Sequence, residues 1–448
     1  MKKVITYGTF DLFHFGHQRL LERAKALGDY LIVGVTADGF DRARGKINVQ
    51  QSLMERMESV KASGIADEVI VEEYEGQKID DILRYDVDVF AIGSDWVGYF
   101  DYLKEFCEVV YLERTAGVSS TKIRKEKGEL RLGLVGNSLF FNKFERESRH
   151  VNGIKISALC IADKNLAKMS ESLNNLTCIT DDYETLLDNV DAVYIVSKPQ
   201  SHYEQIKKAL TNGKHVLCEP PIAMKHSEWI ELDELAKSNN LVLMDAIRTA
   251  YSTAYYRMLL LVKSGRIGKV VSVDASCTSL RDNDLSENEF GEKWNSLCAW
   301  GPNAMLPVFQ ILGTNYLSKQ IVSLYIDEKL KYDGFSKVSF IFPDAVASIK
   351  VGKNVKTEGE LVISGTTGYI YVPAPWWKTE YFEIRREDPT QNKRYFYQLD
   401  GEGIRYELVS FLKAIQSGKN YSYINDNVSM AFVKVIEDYY NGEVIALK

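Results

Sequence analysis

No two cysteines of this chain stand in a CxxC pair. The six, Cys107, Cys160, Cys178, Cys218, Cys277 and Cys298, are scattered over 448 residues. That excludes the spacing of a zinc site or a disulfide framework and leaves small core residues. No run is long and apolar enough to span a bilayer, and Met1-Lys2-Lys3-Val4-Ile5 leads straight into a strand. The expectation is a cytoplasmic protein without membrane insertion. A basic excess is missing as well: the net charge is −7, which gives no reason to expect a nucleic-acid partner. An anionic substrate must then be held by local groups. Internal repeats and low-complexity tracts are absent too. What remains, 45% hydrophobic and 26% charged residues, is the composition of a globular protein long enough for two or three domains.

Residues 1–125 alternate short apolar runs with helical patterns. Val4–Tyr7, Leu31–Val35, Asp88–Ile92 and Val109–Leu112 read as strands. Gly16–Leu27 reads as a helix with Leu20, Leu21, Ala24 and Leu27 inward. Strands alternating with helices imply a parallel, doubly wound sheet. The charged stretch "KIRKEKGEL" (Lys122–Leu130) then gives way to "RLGLVGN", which puts a boundary near Lys127. The α/β rhythm resumes with Ile156–Ala162, Ala192–Val196, His215–Cys218 and Leu241–Met244. From about Arg266 the strands lengthen and alternate (Lys269–Ala275, Ser336–Phe342, Ala345–Val351), as in an α+β portion with an antiparallel or mixed sheet. The expected domains are 1–127, 128–250 and 251–448.

Two of the six histidines fall in "YGTFDLFHFGH" (Tyr7–His17), three residues apart around Gly16. A strand ending in Gly8-Thr9 and feeding a helix presents backbone N–H groups where phosphates bind well. His14 and His17 can both point at one anion there and donate hydrogen bonds as charge moves during transfer. A lone histidine at such a place would be read as a core residue; the pair is not.

On these residues, "GTFDLFHFGH" resembles the HxGH signature of the nucleotidyltransferase superfamily. "RTAGVSSTKIR" (Arg114–Arg124) resembles the RTxGxSTT motif of its cytidylyltransferase branch, which favours cytidylyl over adenylyl transfer. The stretch 1–125 as a whole is similar to bacterial glycerol-3-phosphate cytidylyltransferases, including "LLERAKALGDYLIVGVTAD", "DVDVFAIGSDW" and "EVVYLERT". The resemblance implies CTP and a small phospho-alcohol as substrates, Mg²⁺ as cofactor, a homodimer, and service to teichoic-acid-like or capsule polymers. It implies that Gly8, Thr9 and Phe10 line the nucleotide, while His14 and His17 bind its phosphates and stabilise the transition state. Arg114, Gly117, Ser119, Ser120 and Thr121 would grip the triphosphate from the other side. Arg44, Lys46 and Lys78 would hold the acceptor phosphate, with Asp11, Asp38 and Trp96 as further acceptor-side candidates. No metal site built by the protein alone is implied. Two departures bear on the acceptor: Gly64 stands where the family often has an arginine, and Ser94 replaces an acid in "GSDW". Glycerol phosphate, or another small phospho-alcohol, stays open.

From Arg131 on, "SKPQSHYEQIKKALTNGKHVLCEPPIA" (Ser197–Ala223), "YYRMLLLVKSGRIGKVVSVDA" and "GTTGYIYVPAPWW" resemble the Gfo/Idh/MocA oxidoreductase family. The resemblance implies a Rossmann domain, then an α+β domain with a large, open, mostly antiparallel sheet that can dimerise. Gly136, Asn137, Ser138, Asp163, Ser197 and Glu219 are the candidate dinucleotide-binding positions. A Rossmann turn wants GxGxxG. Here the sequence is "GNSLFF", with Ser138 and Phe141 at the second and third glycines. Pro220 stands where the family has its catalytic lysine, and Ala299 and Asn303 fall at its acid and histidine. With no proton carrier at three positions, ordinary hydride transfer lacks its general acid. Whether NAD(P) binds is left open by these residues. So is the alternative of an active reductase making the alcohol precursor.

Overall fold

The computed structural model describes residues 1–37, 49, 51–73, 76–113, 129–136, 138–151, 153–161, 176–280, 294–378, 380–397, 399, 401–418, 420 and 422–447, without the side chains of 138–140 and 142. It divides into two compact units, Met1–Glu129 and Leu130–Lys448.

In the first unit five strands form one sheet: β1 (Lys3–Gly8), β2 (Tyr30–Thr36), β3 (Glu68–Glu72), β4 (Val89–Gly93) and β5 (Glu108–Leu112). Their order is β3-β2-β1-β4-β5, parallel at every pairing. Helices α1 (Phe15–Lys25), α2 (Leu53–Ala62) and α3 (Gln77–Tyr85) cover the faces. Both faces being covered, β1 is buried from Val4 to Tyr7 and reads as a continuous rather than alternating run. On one face Leu21 and Ala24 of α1 and Val60 of α2 pack with Val4 and Val33; on the other Ile82 of α3 packs with Ile5, Ile32 and Phe90. Leu20 and Leu27 close the edge of the first cluster. The strand order reverses between β1 and β4, and in such sheets a ligand crevice opens at the carboxyl ends beside that point. Gly8 and Gly93 end those two strands.

The second unit holds two sheets. The first contains β6 (Leu130–Gly136), β7 (Ile154–Cys160), β8 (Cys178–Thr180), β9 (Ala192–Val196), β10 (His215–Cys218) and β11 (Leu243–Asp245). All are parallel, in the order β11-β10-β9-β6-β7-β8. Helices α4 (Ser138–Ser148), α5 (Tyr183–Asp188), α6 (Pro199–Thr211) and α7 (His226–Ser238) alternate with these strands. Then come α8 (Arg248–Tyr251) and α9 (Thr253–Lys263).

The second sheet is built from β12 (Val270–Thr278), β13 (Ser318–Asp327), β14 (Tyr332–Ile341), β15 (Val346–Gly352), β16 (Leu361–Gly365), β17 (Gly368–Val372), β18 (Tyr381–Arg385), β19 (Lys393–Phe396) and β20 (Ile445–Leu447). Its order is β19-β18-β17-β16-β12-β15-β14-β13-β20. Only β12–β15 and β13–β20 pair in parallel. Helix α10 (Ser296–Leu312) packs on β12, β14 and β15.

The last helices, α11 (Ile404–Ser417) and α12 (Asp426–Tyr440), return to the parallel sheet. Val433 shares a core with Val193, Ile195 and Val216. The Tyr194 hydroxyl donates to Glu407 Oε1 at 3.0 Å, and Trp229 Nε1 donates to Ser429 Oγ at 2.9 Å. The core of the sheet laid down before residue 250 is thus completed by helices after residue 400. Among the described residues no helix is long and apolar enough to cross a membrane.

Candidate functional site

At the carboxyl end of β1 the chain turns through Gly8 and Thr9 into α1. Phe10 and Leu12 hold φ values of 54° and 50°. Non-glycine residues in that region cost roughly 1–3 kcal/mol each and survive where the surroundings over-determine them, often at functional sites. A Cβ on Gly8 would lie 3.0 Å from the Phe10 ring, so glycine lets that ring fold back beneath the turn.

His14 is the N-cap of α1, and its Nδ1 accepts the Gly16 N–H at 3.0 Å. A ring nitrogen that accepts carries no proton, so the neutral imidazole keeps its N–H on Nε2 and offers it as a donor. The His17 ring stacks on that of His14, centroids 3.9 Å apart and planes inclined by 16°. Phe10 and Phe13 flank His17 at 5.5 and 5.7 Å. The two imidazoles therefore lie side by side at a helix N-terminus, where backbone dipoles favour an anion.

A residue that the motif reading passes over fixes this turn from behind. Arg56 of α2 is fully buried, and its Nη1 donates to the carbonyls of Thr9 at 2.7 Å and Thr36 at 2.8 Å. Its Nε donates to the Gln51 carbonyl at 3.2 Å. A signal exists in the sequence: Leu53, Arg56, Met57 and Val60 share the inward stripe of α2, so a charge sits where a helix should be apolar. Asp11 belongs to the same brace. It is 5% exposed, and its Oδ1 accepts the Gln51 N–H at 3.0 Å, while Leu12 N–H donates to Gln51 Oε1 at 2.7 Å.

On the opposite face of the sheet Lys78 is buried, its ammonium paired with the buried carboxylate of Glu72. The same ammonium lies 4.6 Å from the Tyr7 ring centroid and 5.4 Å from that of Phe100. The Thr36 hydroxyl donates to the other oxygen of Glu72 at 2.8 Å. The Tyr7 hydroxyl donates to Asp81 Oδ2 at 2.8 Å, and burial, reinforced by Asp81, pushes its pKa far up. Trp96 sits just past β4 against Tyr99 and Phe100. Asp38, Arg44, Lys46, Arg114, Gly117, Ser119, Ser120 and Thr121 lie outside the described residues, although β5 ends at Leu112, two positions before Arg114.

In the second unit the strand order reverses between β6 and β9, the place where such sheets open a crevice at their carboxyl ends. Gly136 holds φ 118°, and a Cβ there would come within 2.6 Å of the Ser197 nitrogen, so the tight turn after β6 requires glycine. Helix α4 follows it, but Phe141 is buried at the place of the third glycine. Asn137, Asp163 and the side chain of Ser138 lie outside the described parts. The Ser197 carbonyl lies 2.8 Å from His202 Nε2, and the Pro221 carbonyl 2.7 Å from Nδ1. Burial lowers the His202 pKa against both carbonyls.

Pro220, two residues past β10, is buried and offers no donor. A charged network stands around it instead. Arg248 lies 3.5 Å from Glu219 and 3.8 Å from Glu402, which also receives Lys378 at 2.5 Å and Lys143 at 3.6 Å. Partial burial pushes the Glu219 carboxyl up, opposed by Arg248. The Thr249 hydroxyl is 3.3 Å from Asn303 Oδ1 and 3.0 Å from the Trp377 carbonyl, and Trp300 packs on Trp377.

Residues 5–126 match the family described as Cytidylyltransferase-like, and residues 130–246 the Oxidoreductase family with an NAD-binding Rossmann fold. A glycerol-3-phosphate cytidylyltransferase of Bacillus spizizenii is 54% identical over 130 residues, 29% of this chain and 100% of that protein. Its counterpart in Staphylococcus aureus is 50% identical over 128 residues, 28% of this chain and 95% of that protein. The structure of a 3-ketoreductase from Actinomadura kijaniata, in complex with NADP and TDP-benzene, covers 72% of this chain and 100% of its own at 18% identity and a TM-score of 0.63, a likeness of fold.

Proposed function

The chain belongs, through residues 5–126, to the cytidylyltransferase-like family, and from that premise we propose that it transfers CMP from CTP to a small phosphorylated alcohol, glycerol phosphate foremost. The reaction is an in-line attack by an acceptor phosphate oxygen on the α-phosphorus. The O–P bond to the β-phosphate breaks, and pyrophosphate leaves. No covalent enzyme intermediate is needed; positioning and charge neutralisation carry the rate. The observation that carries the reading is the stacked His14–His17 pair at the N-terminus of α1, in the crevice where the strand order reverses. His14 Nε2–H and His17 donate to the phosphates, Arg56 holds the Thr9 turn, and Arg114 with Ser119, Ser120 and Thr121 closes the triphosphate from the far side. Among the described residues no group of acids and histidines could hold a metal ion alone. A bound Mg²⁺ would add to the charge neutralisation that His14, His17 and Arg114 supply. The test is pyrophosphate release across a panel of phospho-alcohols with CTP and with ATP. Release with ATP alone, or with no acceptor in the panel, would sink the assignment.

For the second unit we propose an oxidoreductase-like body without ordinary dehydrogenase activity. The support is chemical: Pro220, Ala299 and Asn303 carry no proton for a substrate oxygen, and Arg248 is engaged by Glu219 and Glu402. The three segments 1–127, 128–250 and 251–448 remain our division of the chain, and we expect a homo-oligomer joined through the open face of the nine-stranded sheet. A second reading, an NAD(P)-dependent reductase that makes the alcohol precursor, draws on the retained Gly136 turn and the start of α4, which would hold a pyrophosphate. A bound nicotinamide would supply hydride there. Fluorescence titration with NADH and NADPH, followed by a search for oxidation with keto substrates, separates the two readings. Binding without turnover favours the first.

A further inference from the structure

A cavity of about 20 Å³ opens in the second unit between the end of β11, α7 and α12. Asp245, the last residue of β11, lines it and is only 4% exposed. Its Oδ1 is buried with no hydrogen-bond partner. The carboxylate's support comes from Ser429, whose hydroxyl oxygen already accepts Trp229 Nε1–H at 2.9 Å and so turns its own proton to Asp245. An acceptor buried without a donor is costly, and polar-walled cavities in native proteins are filled by water or ions.

The charge around the cavity has one sign in excess. Asp233 and Asp426 also line it, and both are bridged by one lysine, Lys237, at 2.7 and 2.9 Å. Three carboxylates thus face a single ammonium. Asn420 and Ser422 complete the wall, their oxygens held within the loop: Asn420 Oδ1 accepts the Ser422 N–H at 2.7 Å, and Ser422 Oγ accepts the Ile424 N–H at 3.1 Å and donates to the Ile424 carbonyl at 2.8 Å. The volume admits one water-sized occupant. One unpartnered carboxylate oxygen carries the single charge that a monovalent ion balances.

We propose that this cavity is a monovalent-cation site, with Asp245 Oδ1 as its charged ligand. Burial pushes the Asp245 carboxyl up to about 7, the behaviour of an acid that lacks a counter-charge. The ion would brace the end of β11 three residues before Arg248, which pairs with Glu219 and Glu402. The inference does not depend on whether the second unit binds a dinucleotide.

The experiment uses the full chain at mildly alkaline pH. Thermal unfolding of the second unit is compared in potassium, sodium and choline chloride at equal ionic strength. The expected result is a midpoint higher by about 2 °C or more in potassium or sodium than in choline. Asp245→Asn, isosteric and uncharged, is expected to melt at one temperature in all three salts, no lower than the parent in choline. Anomalous scattering from crystals soaked in thallium(I) is expected to place a peak beside Asp245. Equal melting of the parent in all three salts would mean that the cavity holds water only. A salt-specific shift that survives Asp245→Asn, or a thallium map with no peak there, overturns the site.

Discussion

Arg56 donates to the carbonyl of Thr9 at 2.7 Å across 47 residues of sequence. The turn after β1 and α2 are therefore tied together, with Thr36 and Gln51 held by the same guanidinium. Removing that group strands the buried Thr36 carbonyl, at a cost of about 1–3 kcal/mol, and two part-buried ones. Arg56→Ala is expected to lower the unfolding midpoint of the first unit and to raise the KM for CTP about tenfold or more, since a carbonyl that drifts takes the turn with it. Arg56→Lys should fall between, because an ammonium lacks the planar fork that reaches several acceptors. Denaturation and CTP kinetics on both variants check this. An Arg56→Ala protein with parental KM would detach the brace from the site.

His14 does two jobs, and one substitution separates them. Asparagine is a good N-cap, so His14→Asn should keep α1 capped and change stability by less than about 1 kcal/mol. It cannot reproduce the Nε2–H donor at the reach of an imidazole, so the transfer rate is expected to fall by about 10²–10³-fold. His17→Ala should lose activity on the same scale. Pro220→Lys, in the other unit, should leave CMP transfer unchanged. Steady-state pyrophosphate release measures all three, and full activity in His14→Asn would contradict phosphate binding by the ring.

The stability of the second unit is expected to fall as pH rises from weakly acidic to alkaline. Glu407 is fully buried; burial pushes its carboxyl up to about 8 against the lowering effect of Arg248 and of the Tyr194 hydrogen bond. A carboxyl raised on folding favours the native state while protonated. Its contribution is complete below the unfolded value near 4.5 and is lost as pH climbs through about 8. Asp333, pushed to about 6, adds in the same sense. Glu407→Gln should flatten this slope, removing a pH-dependent share of order a few kcal/mol. Urea unfolding at several pH values reads it directly. An unchanged slope in the variant would assign the dependence elsewhere.

What could be read from the residues, and what could not, follows from where the physics is local. Strands β1, β2, β9 and β10 declare themselves because strands covered on both faces are continuously apolar. Strand β3 does not, since Glu68 and Glu72 bound it and Glu72 turns inward to meet Lys78 and Thr36. The histidine pair is legible from spacing alone. Arg56 is less so, because its three partners come from separate stretches of chain. The return of α11 and α12 to the parallel sheet is invisible to a linear reading: Tyr194 and Glu407 are 213 residues apart. Likewise, "EPP" announces a missing lysine but not the Arg248, Glu219 and Glu402 network that stands around the gap.

Lys78 poses the sharpest question about the acceptor. Family resemblance makes it a phosphate ligand, yet its ammonium is already paired with the buried Glu72 and walled by Tyr7 and Phe100. A single Lys78→Met change would mix two effects, because it leaves the Glu72 carboxylate without that cation at a cost of about 3–5 kcal/mol. Pairing it with Glu72→Gln removes both charges, and a neutral amide can still accept from Thr36. The double variant is expected to regain most of the lost stability, as buried ion pairs replaced together often do. If Lys78 holds the acceptor phosphate, the KM for the phospho-alcohol stays raised about tenfold or more in the double variant, while the KM for CTP is unchanged. One charged hydrogen bond of about 1.5–3 kcal/mol is enough for that factor. Should the double variant recover parental acceptor kinetics together with its stability, Lys78 is a packing residue, and the phosphate must be held elsewhere, with Arg44 and Lys46 next to be tested.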